Sequence, residues 1–268
     1  MSSPIDLSIV VPAYQEASRI SDGLRQVDEY LIARGGRSEI LVVDDGSADA
    51  TVEVVRAVAG GLATPTYLLV SEANRGKGHA LKLGFAAARG ERILFTDADL
   101  STPISCADEV LAPLDGAYDF VLGSRKMTGA RLEVRQPWLR ETLGKGFTWL
   151  ARMLIADVSD VTCGFKAFRG DVGRDLFART RIDDWSFDAE LLLIARHQGV
   201  RFMEVPVAWN DREGTKVRLL RDILNTLVGL ARMRTYLFFG RYDTHQAAGA
   251  ATRERLAGRS QGPGEVGG

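Results

Sequence analysis

The sequence is poor in cysteine, in net charge and in long apolar runs, and each shortage excludes a class of protein. Two cysteines in 268 residues, Cys106 and Cys163, cannot form a disulfide framework, so a reducing cytoplasm suits the chain. Lys and Arg number 34 against 35 Asp and Glu, a net charge of -1 that argues against a nucleic-acid partner. No apolar run reaches the length that crosses a bilayer. The N-terminus lacks a basic region followed by a long apolar stretch; Leu7–Val11 is too short for a signal peptide and reads as a strand. The P-loop spacing, the dinucleotide-binding glycine fingerprint and internal repeats are absent as well. What is present is 46% hydrophobic and 26% charged, the composition of one large globular domain with a sizeable core.

The first half alternates short β-branched runs with helical patterns. Strands are predicted at Leu7–Pro12, Glu39–Asp44, Thr66–Val70, Arg92–Thr96 and Asp119–Gly123. Helices are predicted at Ala17–Ala33, Asp49–Ala59, Lys77–Arg89 and Ser105–Pro113. That rhythm predicts an α/β fold, a mostly parallel sheet covered by helices on both faces, with its ligand site at the carboxyl ends of the strands. In the second half, helices are predicted at Trp138–Ile155, Phe187–His197 and Val217–Phe239, and strands at Gly164–Phe168 and Phe202–Ala208. From Thr244 to Gly268 the core-forming pattern stops, which predicts a disordered tail after a domain spanning residues 1–243.

The chemistry-bearing residues fall at the predicted strand ends. Asp97-Ala98-Asp99 follows Arg92–Thr96, and carboxylates two positions apart on an extended segment point to one side. Such like charges need neutralising, and a hard divalent cation with a phosphate-bearing ligand does this. Asp44-Asp45-Gly46-Ser47 ends the second strand, where a carboxylate can accept from a base imide or a ribose; Ser47 or Asp49 can also cap the next helix. Pro12-Ala13-Tyr14-Gln15-Glu16 ends the first strand. Asn74-Arg75-Gly76-Lys77-Gly78 is a glycine-rich helix entry whose amides and Lys77 can face an anion, or simply a tight turn.

Together these segments resemble the inverting nucleotide-sugar transferases of glycosyltransferase family 2, over about residues 5 to 240. The closer likeness is to the dolichyl- or polyprenyl-phosphate sugar synthases, dolichyl-phosphate β-glucosyltransferase above all. It is carried by Gly123-Ser124-Arg125, the run Thr162–Phe168, the run Trp185–Glu190, Glu204–Val207 and Gly214-Thr215-Lys216. The resemblance implies a GT-A, Rossmann-like fold with a C-terminal amphipathic helix, a nucleotide-sugar half of about 1–125 and an acceptor half of about 126–243. It implies a nucleoside pocket lined by Pro12, Tyr14, Glu16, Val43, Asp44 and Asp45, with Gln15 in place of the usual Asn. Asp97 and Asp99 match the pair that holds Mg²⁺ or Mn²⁺ on the donor diphosphate, with Ala98 between them and Ser101 completing the metal shell.

Further roles follow from that resemblance. Arg125, Arg212 and Lys216 are expected to neutralise the donor diphosphate and the incoming acceptor phosphate, Lys77 to lie in the nucleotide-sugar site, and Arg131, Arg135, Arg140 and Lys145 to offer positive charge to an acceptor phosphate. Asp99, Arg125 and Asp188 are the candidate catalytic residues. A lipid phosphate is largely ionised at neutral pH and needs no base, so Asp188 is expected to orient the acceptor or its basic partners. The implied reaction is inverting transfer of glucose from UDP-glucose to a polyprenyl phosphate. Rival readings are GDP-mannose as donor, a glycan hydroxyl as acceptor with Asp188 as base, and a catalytically silent nucleotide-sugar binding protein. A nucleotidyltransferase is disfavoured, because Ala13–Glu16 stands where its basic glycine-rich loop belongs. Residues 217–239 are expected to give either a core helix or a peripheral contact with the cytoplasmic face of an anionic membrane.

Overall fold

The computed structural model describes residues 4–127, 158–184, 186–210, 219–249 and 251–256. Eight strands make one sheet in the order β7-β5-β6-β4-β1-β2-β3-β8. They are β1 (Ile5–Ala13), β2 (Ser38–Asp44), β3 (Thr66–Val70), β4 (Gly90–Thr96), β5 (Phe120–Ser124), β6 (Phe165–Arg169), β7 (Phe202–Pro206) and β8 (Thr252–Leu256). β1 pairs in parallel with both β2 and β4, so the chain reverses its direction of travel across the sheet at β1. A crevice opens at such a switch point beyond the strand ends. Antiparallel β6 lies between β4 and β5, so strands from the predicted acceptor half join the same sheet.

Helices cover both faces. α1 (Ile20–Arg34), α2 (Thr51–Ala59) and α4 (Ala107–Leu111) lie over one; α3 (Lys77–Ala87), α5 (Gly170–Arg179), α6 (Phe187–His197) and the end of α7 (Leu219–Phe238) lie over the other. The central strands read as continuous apolar runs because both their faces are buried: Ile9, Val10, Ile40, Leu41, Val42, Val43, Ile93, Leu94 and Phe95 are all wholly covered. Phe85, Phe95, Phe120, Phe168 and Phe177 stack or meet edge-on in one cluster under α3 and α5.

One element was not predicted and one expectation changes. α5 is an amphipathic helix that buries Gly170, Gly173, Leu176 and Phe177 on one side. The tail is not disordered from Thr244: residues 252–256 pair with the edge of β3. This pairing covers the open backbone edge, buries Leu256, places Arg253 over the Tyr67 ring and pairs Glu254 with Arg56 at 2.9 Å. Residues 257–268 and the predicted helix Trp138–Ile155 lie outside the described residues.

Candidate active site

Three acidic strand ends meet at the crevice. The loops after β1 and β2 are tied by Gln15 N donating to Ser47 Oγ at 2.9 Å and Glu16 N to Thr51 Oγ1 at 2.9 Å. Asp44 accepts from Ser47 N through one oxygen, while its Oδ1 is buried without a partner among the described residues. An orphaned buried carboxylate oxygen is costly, and a donor group of a bound nucleoside satisfies it. Asp45 behaves otherwise. Its carboxylate accepts from Arg75 N and, at 2.7 Å, from Gly76 N, so it shapes the glycine-rich turn; burial pushes it above the ordinary range. Val43 is wholly buried in the core, Pro12 is half-buried, and Tyr14 stands out of the surface, 44% exposed.

The turn delivers Lys77 to the third strand end, where its ammonium pairs with Asp97. Burial alone lowers the affinity of Lys77 for its proton; the charges of Asp97 and Asp188 more than reverse this. Gly164 packs so closely against the Asp97 carboxylate that a side chain there would have to displace it. Asp99 accepts from Ser101 N at 2.9 Å, and Ser101 O accepts from Asn210 N at 2.8 Å. Glu16 holds Arg19, whose charge is felt at Asp99 and Asp97. Among the described residues no cluster of three or more acidic, histidine or cysteine side chains could cage a metal alone. Two hard carboxylates next to a lysine fit Mg²⁺ or Mn²⁺ that takes its remaining oxygens from a diphosphate and water.

Behind this pair stand two buried ion pairs. Arg125 is bidentate on Asp160 at 2.6 and 2.8 Å and lies over the Trp209 ring. Burial raises the Asp160 carboxyl, but the guanidinium outweighs it and holds the group down at about 2. Glu204 in turn accepts from Ser159 N and Asp160 N, fixing the loop that grips Arg125. The second pair is Lys166 with Asp188 at 2.6 Å, both almost fully covered. Lys166 also donates to Cys163 O at 2.5 Å, and its ammonium lies over Phe95. Burial pushes the Asp188 carboxyl up, against the pull of Lys166 and Lys77.

The glycosyl transferase family 2 model matches residues 8–177, which carry the three acidic strand ends, Arg125 and the Lys166 strand. The chain belongs to glycosyltransferase family 2. A dolichyl-phosphate β-glucosyltransferase of Trichomonas vaginalis is 35% identical over 241 residues, covering 86% of this chain and 73% of that one. The Homo sapiens dolichyl-phosphate β-glucosyltransferase is 31% identical, covering 79% of this chain and 69% of that one. Among solved structures, glucosyl-3-phosphoglycerate synthase of Mycobacterium tuberculosis with UDP superimposes with a TM-score of 0.64 at 18% identity, over 85% of this chain and 80% of that one. The same enzyme with Mn²⁺, UDP-glucose and phosphoglyceric acid superimposes with a TM-score of 0.60 at 16% identity, over 91% and 82%. These structures share the GT-A fold with this chain.

Within this family-2 domain the structure gathers Asp44, Asp45, Lys77, Asp97, Asp99, Ser101, Arg125 and Asp188 about one crevice. Arg131, Arg135, Arg140, Lys145, Arg212 and Lys216 lie outside the described residues. Sequence reasoning passed over Asp160, Lys166, Gly164 and Glu204 as individuals. Lys166 was findable: a lysine in the middle of Phe165–Phe168 needs a buried counter-charge.

Proposed function

We propose that this chain transfers glucose from UDP-glucose to a polyprenyl phosphate, with inversion, giving a β-linked lipid-phosphate sugar and UDP. The observation that carries this reading is the placement of Lys77, Asp97 and Asp99 at the strand ends, supported by the dolichyl-phosphate β-glucosyltransferases that resemble the chain over most of its length. Asp97 and Asp99 hold Mg²⁺ or Mn²⁺ with Ser101 beside them, and the metal when bound supplies positive charge to the leaving diphosphate. Lys77 and Arg125 add charge on its flanks, with Arg212 and Lys216 as further donors. Asp44 and Asp45, with Pro12, Tyr14 and Glu16, form the nucleoside end, whereas Val43, expected there, is wholly buried in the core and lines no pocket. Arg131, Arg140 and Lys145 receive the acceptor phosphate.

Asp188 acts as a positioning residue. Its carboxylate is held by Lys166 and faces Lys77, so it keeps two ammonium groups aligned along the crevice. A phosphate acceptor attacks without losing a proton to it. The test is the pH dependence of Asp188→Asn with a short polyprenyl phosphate. A large loss that is equal across pH 6 to 9 supports the reading; a loss that lessens at high pH makes Asp188 a proton acceptor in the reaction and overturns it.

The acceptor implies a lipid surface. No described helix is long and apolar enough to cross a membrane. On α7, Arg232 and Arg234 are exposed, Val228 is 58% exposed and Phe238 84%, with Phe239 just beyond at 68%, while Leu230 and Met233 turn into the core. The helix packs its inner side into the core as one expectation had it, and we assign its outer side to peripheral contact with the cytoplasmic face of an anionic membrane. Flotation with anionic vesicles at low salt tests this: co-migration supports it, and failure to bind removes it.

A further inference from the structure

Glu190, two residues after Asp188 on α6, is wholly buried yet lies outside the crevice. Its carboxylate accepts from Arg181 N at 3.0 Å, Ile182 N at 2.9 Å and the Tyr242 hydroxyl at 2.8 Å. It thereby holds the loop between α5 and α6 at two consecutive amides. That loop backs the glycine-rich turn: Asp183 O accepts from Gly78 N at 2.9 Å, and the Asp183 carboxylate pairs with Arg75 at 2.9 Å. The contact has no slack. A side chain at Gly78 would stand 2.8 Å from Ile182 O, and Gly76, at φ +114°, presses its Cα face on Asp183 O. On its other side the turn is held by Asp45. The Arg75–Gly78 turn is thus gripped from both sides, and Lys77 is its middle.

We propose that Glu190 is a positioning residue of the transferase, holding the Arg181–Asp183 loop against the Arg75–Gly78 turn and so fixing where Lys77 meets Asp97 and the donor diphosphate. The inference rests on the reading that Lys77 and Asp97 face that diphosphate. Tyr242 extends the clamp to the turn that follows α7, and Arg181 joins it by donating to Arg241 O and Thr244 O. The turn that follows the helix assigned to the lipid surface is therefore bonded to the loop that sets Lys77.

The charged and titratable groups facing Glu190 are Lys82 on α3, Arg181 on the loop, Arg232 on α7 and Tyr242. Burial raises Glu190 to about 7, against these hydrogen bonds and the charge of Lys82.

The experiment measures UDP-glucose affinity by calorimetry with Mn²⁺ at neutral pH, for wild type, Glu190→Gln, Tyr242→Phe and Lys77→Gln. Amide exchange at Gly78 and Ile182 and thermal unfolding are followed in parallel. Glu190→Gln is expected to weaken donor binding by about tenfold and Tyr242→Phe by about fivefold, the scale of one hydrogen bond. Exchange at the two amides quickens while that of β1 and β4 is unchanged. If Lys77→Gln weakens binding but both clamp variants match wild type in affinity and amide exchange, the inference is overturned and the donor-site reading stands. If Lys77→Gln binds as wild type does, the donor-site reading falls and the inference with it. Should Glu190→Gln fail to fold, Tyr242→Phe decides alone by the same two readouts.

Discussion

Lys166 and Asp188 form an almost wholly buried ion pair at 2.6 Å, one from the middle of β6 and the other from the first turn of α6. The pair joins the sheet to the helix beside the crevice, close enough to Lys77 and Asp97 for all four charges to be felt together. Removing one partner of such a pair leaves the other buried and uncompensated. Lys166→Met is therefore expected to lower stability by about 3 kcal/mol, read from denaturant midpoints at constant slope. A double variant with Asp188→Leu recovers most of that stability and none of the activity.

The Arg125–Asp160 pair makes a pH prediction. The Asp160 pKa is depressed in the folded protein, from 3.8 to about 2. Its contribution is present above the unfolded value and is lost as pH falls from about 4 toward 2, amounting to about 2 kcal/mol. Thermal melts of Asp160→Asn should lie below wild type at neutral pH and converge on it near pH 2. A constant gap down to pH 2 contradicts the assignment.

Gly164 is predicted to take a side chain only if its surroundings move, because the Asp97 carboxylate lies against its Cα. Gly164→Ala either displaces Asp97 or shifts β6, at a cost of about 1–3 kcal/mol. Metal-dependent turnover should fall further than stability does. Titrating turnover with Mn²⁺ checks this; an unchanged half-saturation concentration means that Asp97 has not moved.

The carboxylates themselves carry the largest expected effect. Asp97→Asn and Asp99→Asn should each reduce transfer by about a hundredfold or more, the scale of losing a preorganised charge at the leaving group. Unfolding should be little affected, since both are only half-buried.

β8 accounts for a stability prediction outside the site. Truncation after residue 249 uncovers the β3 edge and the seat of Leu256, so a lowered Tm and a gain in aggregation are expected. An unchanged melt would mean that the strand adds nothing.

These residues also show what could be read beforehand. The strand ends were legible because Asp44, Asp45, Asp97 and Asp99 each follow an apolar run, and a parallel sheet sends such ends to one side. The partners were not, because they come from distant turns of the chain: Asp160 is 35 positions from Arg125, and Asp188 is 22 from Lys166. Glu190 was hidden by its surroundings, one of two acids in a largely apolar helix, with its hydrogen-bond partners on a loop and on Tyr242. β8 was illegible for a different reason. Thr252–Leu256 is polar and charged, and it becomes a strand only because β3 offers an open edge.

The central claim is tested most directly by release of nucleoside diphosphate. The full chain is incubated with Mn²⁺, a short polyprenyl phosphate and, separately, UDP-glucose, GDP-mannose and other nucleotide sugars. UDP released from UDP-glucose only when the lipid phosphate is present, with a glucosylated lipid phosphate as the other product, is the expected result. Release of GDP from GDP-mannose instead, or release from no pair, contradicts it.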